Sequence, residues 1–253
     1  MKTINYFLVS ASGNPTAIVP GEFSIKDRNT ITTTIFKTKK SVEQVGYLYK
    51  KEASYYFNMM GDEFSGNGCR AAGFIALSQK AGIVQLQTVG KKIAVSLDKS
   101  ANSTVTIPYC FYPKNIITNS CGFLIKMLGS YQLVIEGRGN YQTAKNLTQK
   151  YFQNSKAAGI MFFQKVSQSI ISLDPYFYVR KTKTLVNETA CGSGSTAVSI
   201  YQNYLKQSNI FDLEIRQPSG ESIFSRGYYQ NGQIDTINIS GPTKLLGSYN
   251  VTI

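Results

Sequence analysis

The chain has 253 residues, of which 42% are hydrophobic and 16% are charged, and this composition excludes a disordered or fibrous protein. It contains no histidine, so zinc sites built from Cys and His are excluded, as is catalysis by Ser-His-Asp or Cys-His groups. The formal net charge is +13, but the basic residues are scattered and no nucleic-acid motif accompanies them. We therefore expect no nucleic-acid partner.

The cysteines and the hydrophobic pattern indicate the compartment. Four cysteines are too few and too widely spaced for a disulfide framework in a chain of this length. The N-terminal segment falls short of a signal-peptide core, and no run of 18 apolar residues exists. We therefore expect a cytoplasmic protein with reduced thiols and no membrane partner.

Most of the chain is typical of short strands rich in β-branched and aromatic residues. In the first half we predict strands near residues 6–10, 16–20, 43–50, 55–59 and 103–112. In the second half we predict strands at 131–137, 160–166, 169–173, 177–181, 211–218 and 237–241.

Two segments show helical spacing with small residues, at 66–80 and at 192–206, and each directly follows a glycine turn. Weaker helical patterns lie around 25–36 and 143–154. We expect the first two helices to be central and the weaker two to be peripheral.

The two glycine turns are related by an internal repeat. When Ser65 of EFSGNG is aligned with Cys191 of TACGSG, the glycines fall into register, and the two residues lie 126 positions apart. That separation is close to half of the chain, as a duplicated domain would give. We therefore predict an N-terminal half at 1–116 and a C-terminal half at 117–253, divided in the turn-rich segment 113–120, with the last strand able to return to the first half.

A glycine turn that opens a helix directs backbone N–H groups outward at the positive end of the helix dipole, so it can hold an anion or an enolate. Both turns are too short for a dinucleotide fingerprint or a P-loop. A cysteine at such a position is expected to have a lowered thiol pKa, and Cys191 has this context. The alternative is that Cys191 is a buried small hydrophobe and the glycines only turn the chain.

If position 65 also carried a cysteine, two thiols would begin two helices, one in each half, and could face each other across a cleft. One thiolate could remove a proton from a carbon while the other thiol returned one on the opposite face. This arrangement is what a racemase or epimerase without pyridoxal phosphate requires, and it needs no metal.

Five motifs with shared order and spacing resemble the diaminopimelate epimerase superfamily, and most closely its cofactor-independent histidine racemases. The motifs are GDEFSGNGCR, NETACGSGSTA, SASGN at 10–14, EQVG at 43–46 and QPSGESI at 217–223. The resemblance implies an α/β (α+β) fold of two pseudo-symmetric halves, each a strongly curved, mostly antiparallel sheet wrapped around a central helix. It also implies an amino-acid substrate and no cofactor, and it leaves a homodimer open.

The resemblance places the catalytic pair at Ser65 and Cys191. It places Glu43 near the substrate side chain, where a carboxylate can accept a hydrogen bond from an imidazole N–H. The residues that it implies for binding the amino acid's carboxylate and ammonium are Asn14, Gln44, Gly66, Asn67, Gly68, Gly192, Ser193 and Gly194.

Two departures from the superfamily pattern matter. The Glu-Arg-Gly segment that diaminopimelate epimerases carry before the second cysteine is missing, although Arg180 and Lys181 could substitute for its arginine. Ser65 stands where a catalytic cysteine is expected, and a hydroxyl is a far weaker acid than a thiol. Cys69 is not expected to replace it, because Cys69 lies one turn inside the helix, where the amides are already paired.

The first hypothesis is therefore a racemase that interconverts L- and D-histidine, inactivated or impaired by Ser65. Either a deliberate Cys→Ser replacement or a natural loss of activity would explain the serine, and the retained site favours the first. Diaminopimelate epimerase, a racemase for another amino acid and a non-catalytic amino-acid-binding homologue stay as alternatives. An isomerase of the phenazine-biosynthesis type would need an acidic group in place of the cysteine pair, and the intact ACGSG argues against it.

Overall fold

A computed structural model describes residues 2–108, 111–112, 116–127, 129–180, 183–206 and 208–253. Within these ranges the chain forms four helices: α1 (Ile25–Thr38), α2 (Gly66–Ala76), α3 (Tyr141–Tyr151) and α4 (Gly192–Lys206). All four predicted helices are confirmed. The predicted end of α2 at residue 80 is wrong, because Ser78 and Gln79 take left-handed backbone conformations, with φ of 50° and 64°, that stop the helix after Ala76.

The predicted strands are present with shifted ends, except that those predicted at 169–173 and 177–181 form one continuous strand, Ile170–Val179, and residue 181 lies outside the described residues. The first seven are β1 (Thr3–Ala11), β2 (Asn14–Pro20), β3 (Gln44–Lys51), β4 (Ser54–Met59), β5 (Gly82–Thr88), β6 (Lys91–Leu97) and β7 (Asn102–Thr106). The remaining strands are β8 (Ile116–Asn119), β9 (Gly122–Met127), β10 (Ser130–Glu136), β11 (Ala157–Lys165), β12 (Ile170–Val179), β13 (Thr184–Asn187), β14 (Ile210–Arg216), β15 (Ser222–Gln230) and β16 (Gln233–Thr252).

Several strands were not predicted. The hairpin of β5 and β6 was missed although both strands alternate buried and exposed positions. The segment 113–120, predicted as a turn-rich boundary, contains β8, while residues 113–115 lie outside the described residues. The predicted strand at 103–112 ends as β7 at Thr106, and residues 109–110 also lie outside the described residues.

The chain divides into two compact units, each with one of the two glycine turns. Unit 1 comprises Met1–Pro108 and Ser240–Ile253, and unit 2 comprises Tyr109–Ile239. These divisions fall elsewhere than the predicted boundary after residue 116. The C-terminal part of β16 belongs to unit 1.

Unit 1 is a closed barrel. Its strands follow the order β1-β2-β3-β4-β5-β6-β7-β16. The unit 1 part of β16 also pairs antiparallel with β1, from Thr3↔Thr252 to Ala11↔Thr243, which closes the ring. The pairs β2–β3 and β4–β5 are parallel, whereas β1–β2, β3–β4, β5–β6 and β6–β7 are antiparallel.

Helix α2 packs against all seven strands from β1 to β7. Nine of its residues, Gly66 through Phe74, are buried, which explains why the small residues of this helix are required. Helix α1 packs on the face of β2 and β3 that points away from α2. Its Ile31 and Ile35 join Ala17 of β2 and Val45 of β3 in a separate apolar cluster. The alternation of side chains along β2 and β3 therefore directs Asn14, Thr16 and Gln44 toward α2.

Unit 2 repeats the arrangement of strands around one central helix. Its strands follow the order β16-β15-β14-β12-β11-β10-β9-β8, with β13 paired to β12. The pairs β10–β11 and β12–β14 are parallel, and α4 packs against β10, β11, β12, β14 and β15. Helix α3 packs through Ala144 on Leu133 of β10 and on Ala158 and Ile160 of β11. The alternate residues Gln132, Gly159 and Met161 consequently face α4.

These features establish a mixed α/β fold with a closed sheet and few helices. Among the described residues, no helix combines the length and the apolar character needed to cross a membrane.

One charged side chain, Arg70 of α2, is fully buried in unit 1. Its Nε donates to the carbonyl and the hydroxyl of Ser103 on β7, both at 3.1 Å. Its Nη2 donates to Ser12 Oγ at 3.1 Å and to the Pro242 carbonyl at 3.3 Å, and its Nη1 donates to Asn67 Oδ1 at 3.2 Å. The guanidinium thus ties α2 to β7, to β16 and to the β1–β2 turn.

We expect Arg70→Met to lower the free energy of unfolding by about 2 kcal/mol or more, because several buried acceptors lose their donor. The measurement is urea denaturation. Arg216→Met is the control, since the Arg216 side chain is 51% exposed and pairs at 3.2 Å with Glu214 on the surface of unit 2. That change should cost less than about 1 kcal/mol, and equal losses for the two variants would contradict the role assigned to Arg70.

Candidate active site

Ser65 caps α2. The backbone at Ser65 is extended, with φ of −126° and ψ of 117°, and its Oγ accepts a hydrogen bond from the N–H of Gly68 at 3.0 Å. Its carbonyl accepts the first helical hydrogen bond from Cys69 N–H at 2.9 Å. We call residues 65–68 the Ser65 turn. Its first helical amides, those of Gly66 and Asn67, point outward from the helix start.

The side chains predicted for the first half lie together around this turn. Ser65 Oγ donates to Gln44 Oε1 at 2.9 Å. Beside Gln44, Glu43 is half-buried and its Oε2 accepts from Asn14 Nδ2 at 2.8 Å. Asn14 is fully buried, and its Oδ1 accepts from Thr16 Oγ1 at 2.8 Å. Asn14, Glu43 and Gln44 therefore form one polar group next to Ser65.

Asn67 lies in the first turn of α2 and is 1% exposed. Its side-chain oxygen accepts from Arg70, which also donates to Ser12 in the β1–β2 turn just before Asn14. A buried cation therefore stands one helical turn behind the helix start and adds positive potential to that of the dipole.

Cys191 has the same capping geometry in unit 2. Its Sγ accepts from the N–H of Gly194 at 3.2 Å, and its carbonyl accepts from the N–H of Ser195 at 2.9 Å. Ser193 Oγ lies 3.4 Å from Cys191 Sγ. We call residues 191–194 the Cys191 turn; its outward-pointing amides are those of Gly192 and Ser193.

The glycine at the third helical position is required by close approach in both turns. A Cβ at Gly68 would clash with Met59 Sδ and press on Ser65 Oγ, and a Cβ at Gly194 would clash with Met161 Sδ and press on Cys191 Sγ. The two methionines do not lie on equivalent strands of the repeat. Met161 lies on β11, and its equivalent on β3 is Gly46. In unit 1 the methionine is instead Met59 of β4, which pairs with Gly46. Each turn therefore packs on a thioether.

Gln217 holds the backbone of Cys191. Its Oε1 accepts from Cys191 N–H at 2.9 Å, and its Nε2 donates to Ser195 Oγ at 3.0 Å and to the carbonyl of Ile215 at 2.9 Å. Ser219 N–H donates to the Thr189 carbonyl at 2.9 Å. The QPSGE segment therefore fixes the chain that leads into α4.

The predicted lowering of the Cys191 pKa is wrong. Burial raises the pKa of the thiol well above its ordinary value, since Cys191 is 2% exposed, and Glu188 raises it further through its charge and a hydrogen bond. The Ser193 hydroxyl and the Gly194 N–H lower the pKa, but by less. The helix start alone would lower the pKa of the thiol, but its desolvation has the larger effect.

Two further predicted positions have clear outcomes. Cys69 is fully buried inside α2, and burial raises the pKa of its thiol, so it does not offer a thiolate in place of Ser65. Arg180 is exposed and donates to the carbonyl of Asn154 at 2.9 Å, and Lys181 lies outside the described residues.

Four residues around the turns were not singled out from the sequence: Arg70, Gln132, Glu188 and Gln217. Arg70 and Glu188 lie within the quoted motifs GDEFSGNGCR and NETACGSGSTA, and Gln217 begins QPSGESI. Their position inside these motifs could have identified Arg70, Glu188 and Gln217 as residues of the site. Gln132 lies in a strand whose neighbours are apolar, and only its position opposite α4 reveals it.

Each of these helix starts, the one capped by a hydroxyl and the one capped by a thiol, directs amides outward and is by itself able to bind a carboxylate or stabilise a nearby negative charge. The thiol can also exchange a proton with a carbon acid.

Solved structures share this fold. A PhzF-family phenazine biosynthesis protein from Enterococcus faecalis covers the whole of both chains with a TM-score of 0.67 at 12% identity. A hydroxyproline epimerase from Agrobacterium vitis, with trans-4-hydroxy-L-proline bound, matches with a TM-score of 0.67 at 13% identity and covers 98% of this chain and 92% of its own. At these identities the likeness concerns the fold.

Relatives found by sequence indicate a family as well as a fold. A histidine racemase of Fusobacterium nucleatum is 26% identical over 277 aligned positions, covering 100% of this chain and 98% of the relative. A histidine racemase of Staphylococcus aureus is 27% identical over 97 residues, covering 35% of this chain and 34% of the relative. The family model described as the histidine racemase CntK N-terminal domain matches residues 3–248, so the chain belongs to this family.

Proposed function

We propose that this protein is a racemase of the histidine type that acts without pyridoxal phosphate and uses one group at position 65 and one at Cys191. The observation that carries the proposal is the identical cap at both positions, in which a side-chain atom accepts from the third helical amide at 3.0 Å in one turn and 3.2 Å in the other. Membership of the histidine racemase family supports the same activity, and the repeat of strands around a helix supports a fold of the diaminopimelate epimerase type.

In this mechanism a thiolate removes the α-proton of the amino acid and leaves a carbanion that is stabilised as an enolate by the substrate carboxylate. A thiol on the other side of the α-carbon then delivers a proton and becomes the thiolate. One C–H bond breaks and one forms, so the reaction is balanced without any other reactant. The reverse reaction exchanges the two roles.

The helix starts would supply the electrostatic stabilisation of the enolate. The outward amides of Gly66 and Asn67 in the Ser65 turn, and those of Gly192 and Ser193 in the Cys191 turn, are donors suited to a substrate carboxylate, whose negative charge grows as the enolate forms. The buried Arg70 stands behind the Ser65 turn and adds to this potential. Transition-state charge is therefore stabilised by groups that are already oriented.

In this proposal, the raised pKa of Cys191 keeps the thiol protonated until substrate binds. Burial and Glu188 keep the thiol protonated in the free protein, which protects it from adventitious reaction. The α-ammonium of a bound amino acid brings a positive charge beside the thiol, and a nearby positive charge favours the thiolate. Substrate binding would then create the base that the reaction needs.

Glu43 is the residue that would select histidine. Its carboxylate is half-buried and fixed by Asn14 at 2.8 Å, so it can accept from an imidazole N–H in one orientation. A carboxylate in that place also favours the protonated ring.

Ser65 is the reason to expect impaired turnover. Its hydroxyl is held between Gly68 N–H and Gln44 Oε1, where it can bind but cannot supply a thiolate. The same observation favours a second candidate function, an amino-acid-binding homologue without catalysis. The two candidates differ in what a cysteine at position 65 would do.

Ser65→Cys is expected to raise the rate of racemisation of histidine by at least about 100-fold, the range in which a positioned proton-transfer group contributes. Chiral chromatography of L- and D-histidine, with a panel that includes diaminopimelate and other polar amino acids, measures it. Ser65→Ala is the matched variant that lacks both hydroxyl and thiol and should stay inactive. Saturable binding of an amino acid without any gain of turnover would instead establish the binding homologue.

Glu43→Gln in the Ser65→Cys protein is expected to raise the KM for histidine by about tenfold, because a charge-assisted hydrogen bond to the ring becomes a neutral one. A racemase assay over a range of histidine concentrations measures it. Glu22→Gln, a change at an exposed carboxylate of the same unit, is the control and should leave KM unchanged. An unchanged KM in Glu43→Gln would remove this residue from substrate recognition.

Because its pKa is raised, the Cys191 thiol should react with iodoacetamide more slowly than an ordinary thiol at pH 7–8, with a rate that climbs as the pH rises through that raised pKa. Glu188→Gln should increase the rate at pH 8, since it removes a charge that opposes the thiolate. Peptide mass mapping follows Cys191 separately from Cys121, whose pKa is lowered chiefly by a hydrogen bond with Tyr151 and which should label faster. Glu136→Gln, at an exposed carboxylate, is the control; equal rates in all three proteins would contradict the effect of Glu188.

A further inference from the structure

Gln132 on β10 is a fully buried polar side chain beside the Cys191 turn. Its Nε2 lies 3.4 Å from Ser193 Oγ and 3.3 Å from Ser130 Oγ. Its Oε1 has no hydrogen-bond partner among the described residues. A buried carboxamide with an unpaired acceptor is costly, and such a group in a strand of apolar neighbours calls for an explanation.

The carboxamide reaches the Cys191 turn through space that a glycine leaves open. Oε1 lies where the Cβ of a larger residue at Gly159 would be, next to the methyl group of Met161. The sulfur of Met161 packs in turn on Gly194. The side chain therefore lies against the first turn of α4, with its nitrogen toward Ser193.

The repeat gives Gln132 a counterpart in unit 1. Thr16 pairs with Gln44 in the parallel pair β2–β3, and Gln132 pairs with Gly159 in the parallel pair β10–β11. Gln44 of unit 1 therefore lies on β3, the second strand of its parallel pair, whereas Gln132 of unit 2 lies on β10, the first strand of its pair. In both units its side chain points to the central helix and reaches the turn: Gln44 at Ser65, and Gln132 at Ser193.

We propose, on the basis of the function proposed above, that Gln132 is a positioning residue that acts on Cys191 through Ser193. A side-chain NH₂ group only donates, so its contact uses the lone pair of Ser193 Oγ. The hydroxyl hydrogen is then free to point at Cys191 Sγ, 3.4 Å away. A hydroxyl that donates to the sulfur stabilises the thiolate over the thiol.

The two glutamines present opposite ends of their amides. Gln44 offers its carbonyl oxygen to the group at position 65, and a carbonyl can accept only from a protonated group. Gln132 offers N–H groups and, through Ser193, supports the unprotonated sulfur. Among the described residues, the charged side chain that acts on Cys191 is Glu188, which opposes the thiolate. Ser193 and Gln132 counter Glu188 at this position.

The test is the pH profile of Cys191 alkylation, which needs no catalysis. Gln132→Met, which keeps the length of the side chain and removes its donors, should move the midpoint upward by about one pH unit, the effect of one charge-assisted hydrogen bond. Ser193→Ala should move it similarly. The double variant should show no further shift, because both changes break one chain of contacts.

Gln202→Met is the matched control, since Gln202 of α4 is also a buried glutamine whose Nε2 has no partner among the described residues. It should leave the midpoint unchanged. In the Ser65→Cys protein, Gln132→Met should lower kcat about tenfold and change KM by less than about threefold, since it acts on the thiolate and not on binding.

The proposal is overturned if Gln132→Met leaves the alkylation midpoint in place, if its shift adds to that of Ser193→Ala, or if Gln202→Met produces the same shift. If Ser65→Cys racemises no amino acid, the proposed function fails, whereas the alkylation profile still decides the role of Gln132.

Discussion

The hydrogen bond from the third helical amide to the side chain of the capping residue determines the geometry of both turns. It fixes Ser65 Oγ and Cys191 Sγ at the start of a buried helix and leaves the first two amides of that helix directed outward. A glycine must donate this bond, because a Cβ at Gly68 or Gly194 would strike the methionine that packs behind it. The glycines, the buried helices and the surrounding strands therefore all hold the capping side chain and the outward amides in place.

The same arrangement explains why the thiol is not activated in advance. A central helix must be buried to be enclosed by strands, and burial raises the pKa of Cys191 more than the amide and the hydroxyl beside it lower it. In the proposed mechanism, activation depends on the charge of the bound amino acid and on the polar groups that surround the sulfur. Glu188 raises the pKa of the thiol and Ser193 lowers it, and we propose that Gln132 acts through Ser193.

Much of the fold could be predicted because strands and helices differ in apolar period, and the repeat at 65 and 191 identified the central helices. The hairpin of β5 and β6 was missed because its polar face interrupts the apolar runs. The cluster of Asn14, Glu43 and Gln44 was expected only from family resemblance. The burial of Cys191 was only an alternative interpretation of the sequence, and the role of Gln132 was not predicted, since both depend on packing between residues distant in sequence.

The proposed mechanism assigns one proton transfer to the group at position 65 and the other to Cys191. The most direct measurement is ¹H NMR of L- and D-histidine in deuterated water with the protein carrying Ser65. We expect Cys191 alone to exchange the α-proton of one enantiomer, without racemisation and without exchange in the other. Exchange in both enantiomers, or in neither, would contradict it.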